Sequence, residues 1–263
     1  PYLLKQAKDR LQADPQGHGI RKATVIIEAI FENLDAKQDL FRRLEAEASP
    51  QAILATNTSS LRLEDIRDCL KQPERLVGIH FFNPVAQMPL VEVIHAQGTR
   101  EDCLKAATGF VRDLDKLPLP VKSAPGFLVN AVLAPYMLAA MRQVDAGLSA
   151  ASIDAAMTRF GMPMGPLELA DTVGLDIALA AGSTIAQARG EDLSLTVPLC
   201  LKSRVDAKQL GKKTGQGFYL WKDGKREDAN GSKGAGAGSS GNQEALALTL
   251  IEPLIAAAQE LVR

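Results

Sequence analysis

A histidine and a glutamate stand inside two neighbouring apolar runs, and this pattern constrains the chain more than any other. Residues 77–94 read V-G-I-H-F-F-N-P-V-A-Q-M-P-L-V-E-V-I, which predicts a strand, a turn and a second strand. His80 interrupts the first run and Glu92 interrupts the second. A buried carboxylate needs a partner, and an imidazole is a natural one for a base that works near neutral pH. The segment indicates an enzyme, although a buried ion pair that only fixes two strands would leave the same pattern.

The composition excludes several other classes of protein. The 263 residues carry a formal net charge of −1, so nothing favours nucleic acid or an anionic membrane as the main partner. No apolar run approaches the ~20 residues that a membrane span needs, and the first residues do not read as a signal peptide. Cys69, Cys103 and Cys200 are far apart and odd in number. We therefore expect no disulfide framework, no metal site and a reducing, cytoplasmic location.

The first half of the chain alternates predicted strands with predicted helices, which is typical of a doubly wound, mostly parallel sheet. The predicted strands are 23–30, read as buried, then 52–55, 77–82, 90–94 and 119–121, and the predicted helices are 33–47, 61–70 and 101–114.

The second half contains no convincing strand, so it predicts an all-helical domain that begins near residues 122–124. Its predicted helices are 125–146, 150–160, 167 onward, 175–188 and 197–209. Residues 222–242 are polar and rich in Gly and Ser, which predicts a flexible linker. Residues 243–263 predict one more amphipathic helix, whose apolar stripe needs another surface to cover it. It either packs back on the helical domain or begins a further domain.

The chain contains one literal G-x-G-x-x-G, formed by Gly236, Gly238 and Gly241. This motif binds a pyrophosphate only where a strand precedes it and a helix N-terminus follows it. The preceding residues, K-D-G-K-R-E-D-A-N-G-S-K, do not form a strand pattern, so we interpret the match as part of the linker. A dinucleotide-binding domain should open with a strand, a glycine loop, a helix, a strand and an acid, and the sequence lacks this opening.

Polar residues follow two of the predicted strands. The N-T-S-S of residues 57–60 ends a buried strand, where ligands bind in open α/β sheets. Ser59 or Ser60 would equally suit the N-cap of the next helix, and the two roles are compatible for adjacent serines. Asn83 precedes a proline just after His80, which favours a plain turn.

Three more polar residues have two interpretations each. Asn130 shares an apolar helix face with Leu133, so it needs a partner, either another helix or a ligand oxygen. Glu32 and Lys37 follow the first strand, where a solvated charge pair is the ordinary interpretation and a cofactor contact is the alternative.

Seven motifs together resemble the NAD-dependent 3-hydroxyacyl-CoA dehydrogenases, in particular the dehydrogenase segment of multifunctional fatty-acid oxidation enzymes. In chain order they are I-E-A-I-F-E-N (27–33), A-T-N-T-S-S-L (55–61), G-I-H-F-F-N-P-V (78–85), M-P-L-V-E-V-I (88–94), P-G-F-L-V-N (125–130), P-M-G-P-L-E-L-A-D (163–171) and G-K-K-T-G-Q-G-F-Y (211–219). They follow the family's order and spacing and extend over nearly everything from residue 23 to residue 219.

The resemblance implies an activity and a role for each residue. The expected reaction is the oxidation of a (3S)-3-hydroxyacyl-CoA to a 3-oxoacyl-CoA in fatty-acid β-oxidation, with NAD as cofactor and an acyl-CoA as substrate. His80 would be the general base and Glu92 its orienting partner. The substrate contacts would be Ser59, Asn83 and Asn130, and the cofactor contacts Glu32, Lys37 and Asn57.

The resemblance also implies a domain plan with an incomplete Rossmann-like sheet. Residues 1–122 would be a partial NAD-binding domain without its glycine loop, 123–221 a helical substrate and dimerisation domain, 222–242 a linker, and 243–263 the start of a second helical repeat. We expect a piece of a longer chain that is weak or inactive by itself.

The expected partners are a second copy of the chain, or an intramolecular second repeat in its place, and a thiolase in the parent enzyme. Two alternatives stay open. One is another hydroxyacid dehydrogenase on the same two-domain plan, and the other is a non-catalytic helical dimerisation module.

Overall fold

The structure, a computed structural model, describes residues 2–188, 190, 197–227 and 240–262. The chain divides into two compact units, Pro1–Ser123 and Ala124–Arg263. Among the described residues, no helix is both long enough and apolar enough to cross a membrane.

The first unit contains a five-stranded sheet with helices on its faces. Its strands are β1 (Val25–Glu28), β2 (Ile53–Thr56), β3 (Leu76–Phe81), β4 (Leu90–His95) and β5 (Leu117–Lys122), and its helices are α1 (Tyr2–Asp9), α2 (Leu34–Glu47), α3 (Leu63–Arg67) and α4 (Glu101–Asp113). The strands lie side by side in chain order, and every neighbouring pair is parallel except β3 with β4. The predicted mostly parallel, Rossmann-like sheet is confirmed.

Alternation along the strands decides which face of the sheet each side chain occupies. Val77 and Ile79 of β3 and Val93 of β4 pack with the buried residues of α4. Successive side chains of a strand point to opposite faces, so His80 and Glu92 lie on the other face of the sheet.

The strand predicted as buried at 23–30 is shorter and more exposed than expected. It covers Val25–Glu28 and lies at one edge of the sheet, and within it only Glu28 is fully buried. A run of β-branched residues predicts a strand, but it does not distinguish an edge strand from a central one.

The helix predicted at 61–70 is only the single turn α3, Leu63–Arg67. The carboxylate of Glu45 in α2 accepts the backbone N–H groups of Lys71 and Gln72 at 2.9 and 2.8 Å. These two bonds hold the chain against α2 directly after the turn, and they compete with continuation of the helix.

The second unit is a helical bundle with one small hairpin. Its helices are α5 (Val129–Asp145), α6 (Ala150–Phe160), α7 (Pro166–Val173), α8 (Leu175–Ala188), α9 (Leu199–Asp206) and α10 (Ser240–Val262), and its strands are β6 (Leu220–Lys222) and β7 (Lys225–Glu227). The hairpin corrects the prediction of an all-helical second half.

The same hairpin corrects the predicted start of the linker at residue 222. Asp223 and Gly224 have φ values of +50° and +72°. Two successive positive φ values are what a tight two-residue hairpin turn requires, and Asp-Gly is a strong local signal for it. The remainder of the predicted linker includes residues 228–239, which lie outside the described residues, as do Gly236 and Gly238 of the glycine-rich match. Residues 240–242 and Gly241 belong to α10.

The last helix covers one side of the long helix α5. Ala247 and Leu250 of α10 are buried in the same cluster as Tyr136, Met137 and Met141 of α5. The side of α5 that carries these three residues is thus covered within this chain by α10.

Candidate active site

His80 and Glu92 face each other across β3 and β4. They are direct partners in the antiparallel register, so their side chains leave the sheet on the same face. Nδ1 of His80 lies 2.8 Å from Oε2 of Glu92. The His80 side chain is 7% exposed and the Glu92 side chain is fully buried. The two strands therefore place the pair where little water competes with its hydrogen bond.

The pair defines the chemistry that His80 can perform. An ionised carboxylate can only accept hydrogen bonds, so in the neutral imidazole Nδ1 carries the proton that Glu92 accepts. Nε2 is then the basic nitrogen of the ring. Phe82 packs against the imidazole with the ring centroids 4.6 Å apart. A histidine held in one tautomer and one orientation can take a proton from a hydroxyl group.

The loop of residues 57–60 follows β2 at the carboxyl end of the sheet. The side-chain oxygen of Asn57 accepts the backbone N–H of Phe81 at 3.0 Å, which attaches the loop to β3 beside His80. Thr58 Oγ1 accepts the backbone N–H of Leu61 at 3.0 Å. The loop therefore has fixed contacts to its own continuation and to the strand that carries the histidine.

The predicted capping role of Ser59 or Ser60 is wrong. The residue before α3 is Arg62, and the backbone N–H of Leu63 donates to Ser123 Oγ at 3.1 Å. Ser59 and Ser60 lie three and two residues before Arg62, so neither occupies the N-cap position, and their backbone N–H groups donate to the carboxylate of Glu32 at 3.0 and 3.1 Å.

Glu32 and Lys37 do not form the solvated charge pair that was the ordinary interpretation of the sequence. Lys37 Nζ lies 2.7 Å from Glu28 Oε1 and 3.2 Å from Glu32 Oε2. The Lys37 side chain is 1% exposed and that of Glu32 is 34% exposed. Lys37 shares the buried face of α2 with Phe41 and Leu44, at helical spacings of four and seven residues. The ammonium group of Lys37 therefore lies in the interior of the first unit.

Glu28 is a site residue that sequence reasoning missed. Its Oε2 accepts the hydroxyl of Thr56, its direct cross-strand partner, at 2.7 Å, and its Oε1 accepts the backbone N–H of Ile30 at 2.7 Å. The signal was present, because Glu28 interrupts an apolar strand as Glu92 does. Its partner Lys37 stands nine residues further along on a helix, so no strand-to-strand pattern indicated the pair.

The first unit thus contains seven of the eight predicted site residues. Asn83 is exposed and follows β3, and a cis peptide bond joins it to Pro84. Asn130 is half-buried in the first turn of α5 and belongs to the second unit.

The hydrogen bonds around Glu32 affect its acidity. Burial acts to raise the pKa of the Glu32 carboxyl, but the hydrogen bonds from Thr58, Ser59 and Ser60 and the charge of Lys37 together outweigh burial. The pKa therefore lies below its usual value, and this carboxyl is ionised at neutral pH.

Two further buried carboxylates, Asp154 and Asp171, were also missed by sequence reasoning. Asp154 accepts the backbone N–H groups of Leu167 and Glu168 and the hydroxyl of Tyr219, and Asp171 accepts the backbone N–H groups of Phe218 and Tyr219 and Nε1–H of Trp221. Burial raises the pKa of both carboxyls, and their hydrogen bonds offset part of that increase. The hydrogen bonds of these two carboxylates connect α6 and α7 with the chain that leads into β6. This gives a structural reason for two of the seven motifs, residues 163–171 and 211–219.

The residues at the carboxyl end of the sheet offer amide and hydroxyl groups to a ligand. Open α/β sheets bind dinucleotides beyond this end of their strands. The loop of residues 57–60 follows β2 at this end of the sheet and is hydrogen-bonded to the end of β3. Within the described ranges, no group of three His, Cys, Asp or Glu side chains is placed to hold a metal ion.

Comparison with protein families identifies both units. Residues 3–124 match the family model for the 3-hydroxyacyl-CoA dehydrogenase NAD binding domain, and residues 126–221 match that for the 3-hydroxyacyl-CoA dehydrogenase C-terminal domain.

Curated and solved relatives agree with this match. The fatty acid oxidation complex subunit alpha of Pseudomonas syringae pv. syringae (strain B728a) is 38% identical over 202 residues, which are 77% of this chain and 28% of that protein. The chain therefore spans less than a third of this relative. The crystal structure of FadB2 from M. tuberculosis is 37% identical, with a TM-score of 0.72 over 76% of this chain and 71% of that one. The (S)-3-hydroxybutyryl-CoA dehydrogenase PaaH1 from Ralstonia eutropha is 32% identical, with a TM-score of 0.77 over 83% and 77%.

Proposed function

This chain belongs to the 3-hydroxyacyl-CoA dehydrogenase family, an NAD-dependent family of oxidoreductases, and on that premise we propose that it oxidises a (3S)-3-hydroxyacyl-CoA to the 3-oxoacyl-CoA in fatty-acid β-oxidation. The observation that carries the proposal is the buried pair of His80 and Glu92, 2.8 Å apart. A non-catalytic module would need neither residue at this place in the sheet.

His80 is the general base of the proposed reaction. The 3-hydroxyl must lose its proton while C3 loses a hydride, and Nε2 of His80 takes that proton. Glu92, which accepts the Nδ1 hydrogen bond, stabilises the imidazolium that forms and keeps the ring in one orientation. Bound NAD supplies the hydride acceptor.

Substrate binding is assigned to three residues. Ser59 in the first unit and Asn130 in the second would each contact the substrate oxygen or the thioester, and Asn83 would support the substrate contacts of the first unit. Hydroxyl and amide groups can orient a carbonyl or alcohol oxygen and stabilise the charge that develops on it. Family membership supports these assignments, and so does the place of Ser59 and Asn83 after β2 and β3, at the end of the sheet that holds His80.

Asn57, Glu32 and Lys37 are the residues of this chain proposed for the cofactor side. Asn57 lies directly after β2, where a dinucleotide would approach. Lys37 is buried against Glu28, so its contribution is to hold neighbouring groups in place.

The partners and the compartment are also proposals. The curated relative is a subunit of a fatty acid oxidation complex, so we propose that a thiolase is the partner of the parent enzyme. Because α10 covers one side of α5, we favour an intramolecular second helical repeat over a homodimer. Cys69, Cys103 and Cys200 are free thiols, which supports a reducing compartment such as the cytoplasm.

A substrate panel tests the proposal. Reduction of NAD, followed by absorbance, is measured with 3-hydroxyacyl-CoA thioesters, with free 3-hydroxy acids and with 2-hydroxy acids. The assay uses the 263-residue polypeptide and a form extended upstream of Pro1. We expect turnover with the CoA thioesters alone. Turnover with free hydroxy acids would favour another hydroxyacid dehydrogenase on the same plan, and no turnover with any substrate in the extended form would contradict the proposal.

A further inference from the structure

One oxygen of Glu32 collects most of the hydrogen bonds that hold the loop of residues 57–60. Oε1 accepts the hydroxyl of Thr58 at 2.5 Å, the backbone N–H groups of Ser59 and Ser60 at 3.0 and 3.1 Å, and the hydroxyl of Ser60 at 3.0 Å. Hydrogen bonds to an ionised carboxylate are stronger than neutral ones. Residues 58–60 are therefore attached to a residue 26 to 28 positions earlier in the chain.

The other end of the loop is attached to the strand of the catalytic histidine. Asn57 Oδ1 accepts the backbone N–H of Phe81, which is the residue after His80. The backbone N–H of Asn57 donates to the carbonyl of Glu28 at 2.8 Å. Ser59 thus lies between two attachment points, the carboxylate of Glu32 and the backbone of Phe81 beside His80.

A buried ion pair holds Glu32 itself. Lys37 Nζ contacts Glu32 Oε2 at 3.2 Å, Glu28 Oε1 at 2.7 Å and the carbonyl of Ile30 at 3.4 Å, which accounts for its three hydrogens. Two carboxylates around one ammonium leave one negative charge in excess. The backbone N–H groups of Ile30, Ser59 and Ser60 donate to the oxygens of these two carboxylates. The loop therefore helps to stabilise the excess negative charge.

We propose that Glu32 is a positioning residue that fixes the loop carrying Ser59 relative to His80, and that Lys37 and Glu28 keep its carboxylate in place. Glu32 then acts on the substrate side through Ser59, apart from the role proposed for it on the cofactor side. The positioning rests on the described contacts, and its consequence for catalysis rests on the proposed function, in which Ser59 contacts the substrate.

The structural half of the proposal is tested in the 263-residue polypeptide by amide hydrogen exchange. Glu32→Ala should accelerate exchange at Ser59 and Ser60 by about tenfold or more, because their acceptor is gone. Glu32→Gln keeps an acceptor without the charge and should give an intermediate rate. Asp35→Ala, at an exposed carboxylate three residues away, is the matched control and should leave both rates unchanged. The Val93 amide, in the buried strand β4, should exchange at one rate in all variants. Unchanged exchange at Ser59 and Ser60 in Glu32→Ala would overturn the proposal.

The catalytic half is tested by a double-mutant cycle in whichever of the two forms assayed under the proposed function turns over a substrate. Glu32→Ala alone should lower kcat by about ten- to hundredfold, the usual cost of a misplaced contact. In a Ser59→Ala background the same substitution should have little further effect, because both act through one contact. A full additional loss in that background would show that Glu32 does not act through Ser59 and would overturn the proposal. A wild-type extended form without dehydrogenase activity would contradict the proposed function, and the exchange rates would then decide the positioning by themselves.

Discussion

His80 and Glu92 are direct cross-strand partners in β3 and β4, and Nδ1 of the imidazole lies 2.8 Å from Oε2 of the carboxylate. The register of the two strands sets this distance. A slip of one residue would move His80 to the face of the sheet that packs against α4, because side chains alternate between faces. The antiparallel pairing of β3 with β4 is therefore a condition for the proposed catalysis as well as a feature of the fold.

Glu92→Gln should change the tautomer of His80. The carboxylate of Glu92 accepts the Nδ1 proton, whereas a carboxamide can accept or donate at the same position. We expect the ¹⁵N shifts of the neutral ring to move from a protonated Nδ1 towards a mixture of tautomers, and kcat to fall by about 10²- to 10⁴-fold. Glu101→Gln, at an exposed glutamate of α4, is the control. Ring shifts that match the wild type would show that Glu92 does not orient the histidine.

Gly78→Ala should destabilise the first unit. A Cβ on Gly78 would stand 2.7 Å from Cδ1 and 2.8 Å from Cβ of Ile94, its direct partner in β4. A buried branched side chain cannot move away from the added Cβ without strain. We therefore expect the free energy of unfolding to fall by about 1–3 kcal/mol. Gly109→Ala in α4 is the matched control, because no atom lies within 4 Å of its added Cβ. That control should be neutral or stabilising by up to about 1 kcal/mol, and equal urea midpoints for the two variants would contradict the packing argument.

The sequence predicts the sheet and the pair at its centre because both depend on local patterns. Strand runs were visible from periodicity, and His80 and Glu92 were visible as interruptions of such runs. Glu28 left the same signal, but its meaning depends on Lys37, whose burial follows from the packing of α2. Ser59 and Ser60 fit a cap by type, but a distant carboxylate holds their backbone.

Local sequence patterns did not predict the features that depend on tertiary packing. The cover that α10 provides for α5 is a contact between helices about 100 residues apart, and no periodicity encodes it. The hairpin at Asp223 and Gly224 was different, because its turn signal was present and the polar composition around it outweighed that signal in our interpretation.

The stability of the second unit should respond to pH through Asp171. Burial raises the pKa of this carboxyl above its usual value of 3.8 in the unfolded chain. The folded state then holds the proton at pH values where the unfolded state has lost it, so the free energy of unfolding falls as pH rises through that window.

Asp171→Asn removes this titration, so its stability should change less steeply with pH between 3.8 and the raised pKa. The variant should also lose about 1–3 kcal/mol at neutral pH, because an amide group would face the donors of Phe218, Tyr219 and Trp221. Trp221 is the only tryptophan and reports unfolding of this unit by fluorescence. Asp206→Asn is the surface control. Parallel curves for the wild type and Asp171→Asn would contradict the assignment.

The 263-residue polypeptide should bind NADH weakly. Its affinity for a dinucleotide depends largely on backbone N–H groups at a glycine loop that joins a parallel strand to a helix N-terminus. The only literal match in the sequence, Gly236, Gly238 and Gly241, comes after β7, which belongs to a two-stranded antiparallel sheet and not to the parallel sheet of the first unit. We expect a Kd about 100-fold or more above that of a form whose upstream extension supplies a strand, a glycine loop and a helix. Calorimetry of the two forms measures the difference. Equal affinities would place the cofactor site elsewhere in the chain.

The turnover of His80→Gln in the extended form, measured with a 3-hydroxyacyl-CoA and NAD, tests the central claim most directly. His95→Gln is its matched control, a half-buried histidine at the end of β4. A general base contributes about 10²- to 10⁴-fold to the rate, so kcat should fall by that factor in His80→Gln, with KM for the thioester within about twofold of the wild type. His95→Gln should retain normal kcat. A His80→Gln enzyme with near-normal turnover would contradict the assignment of His80 as the base.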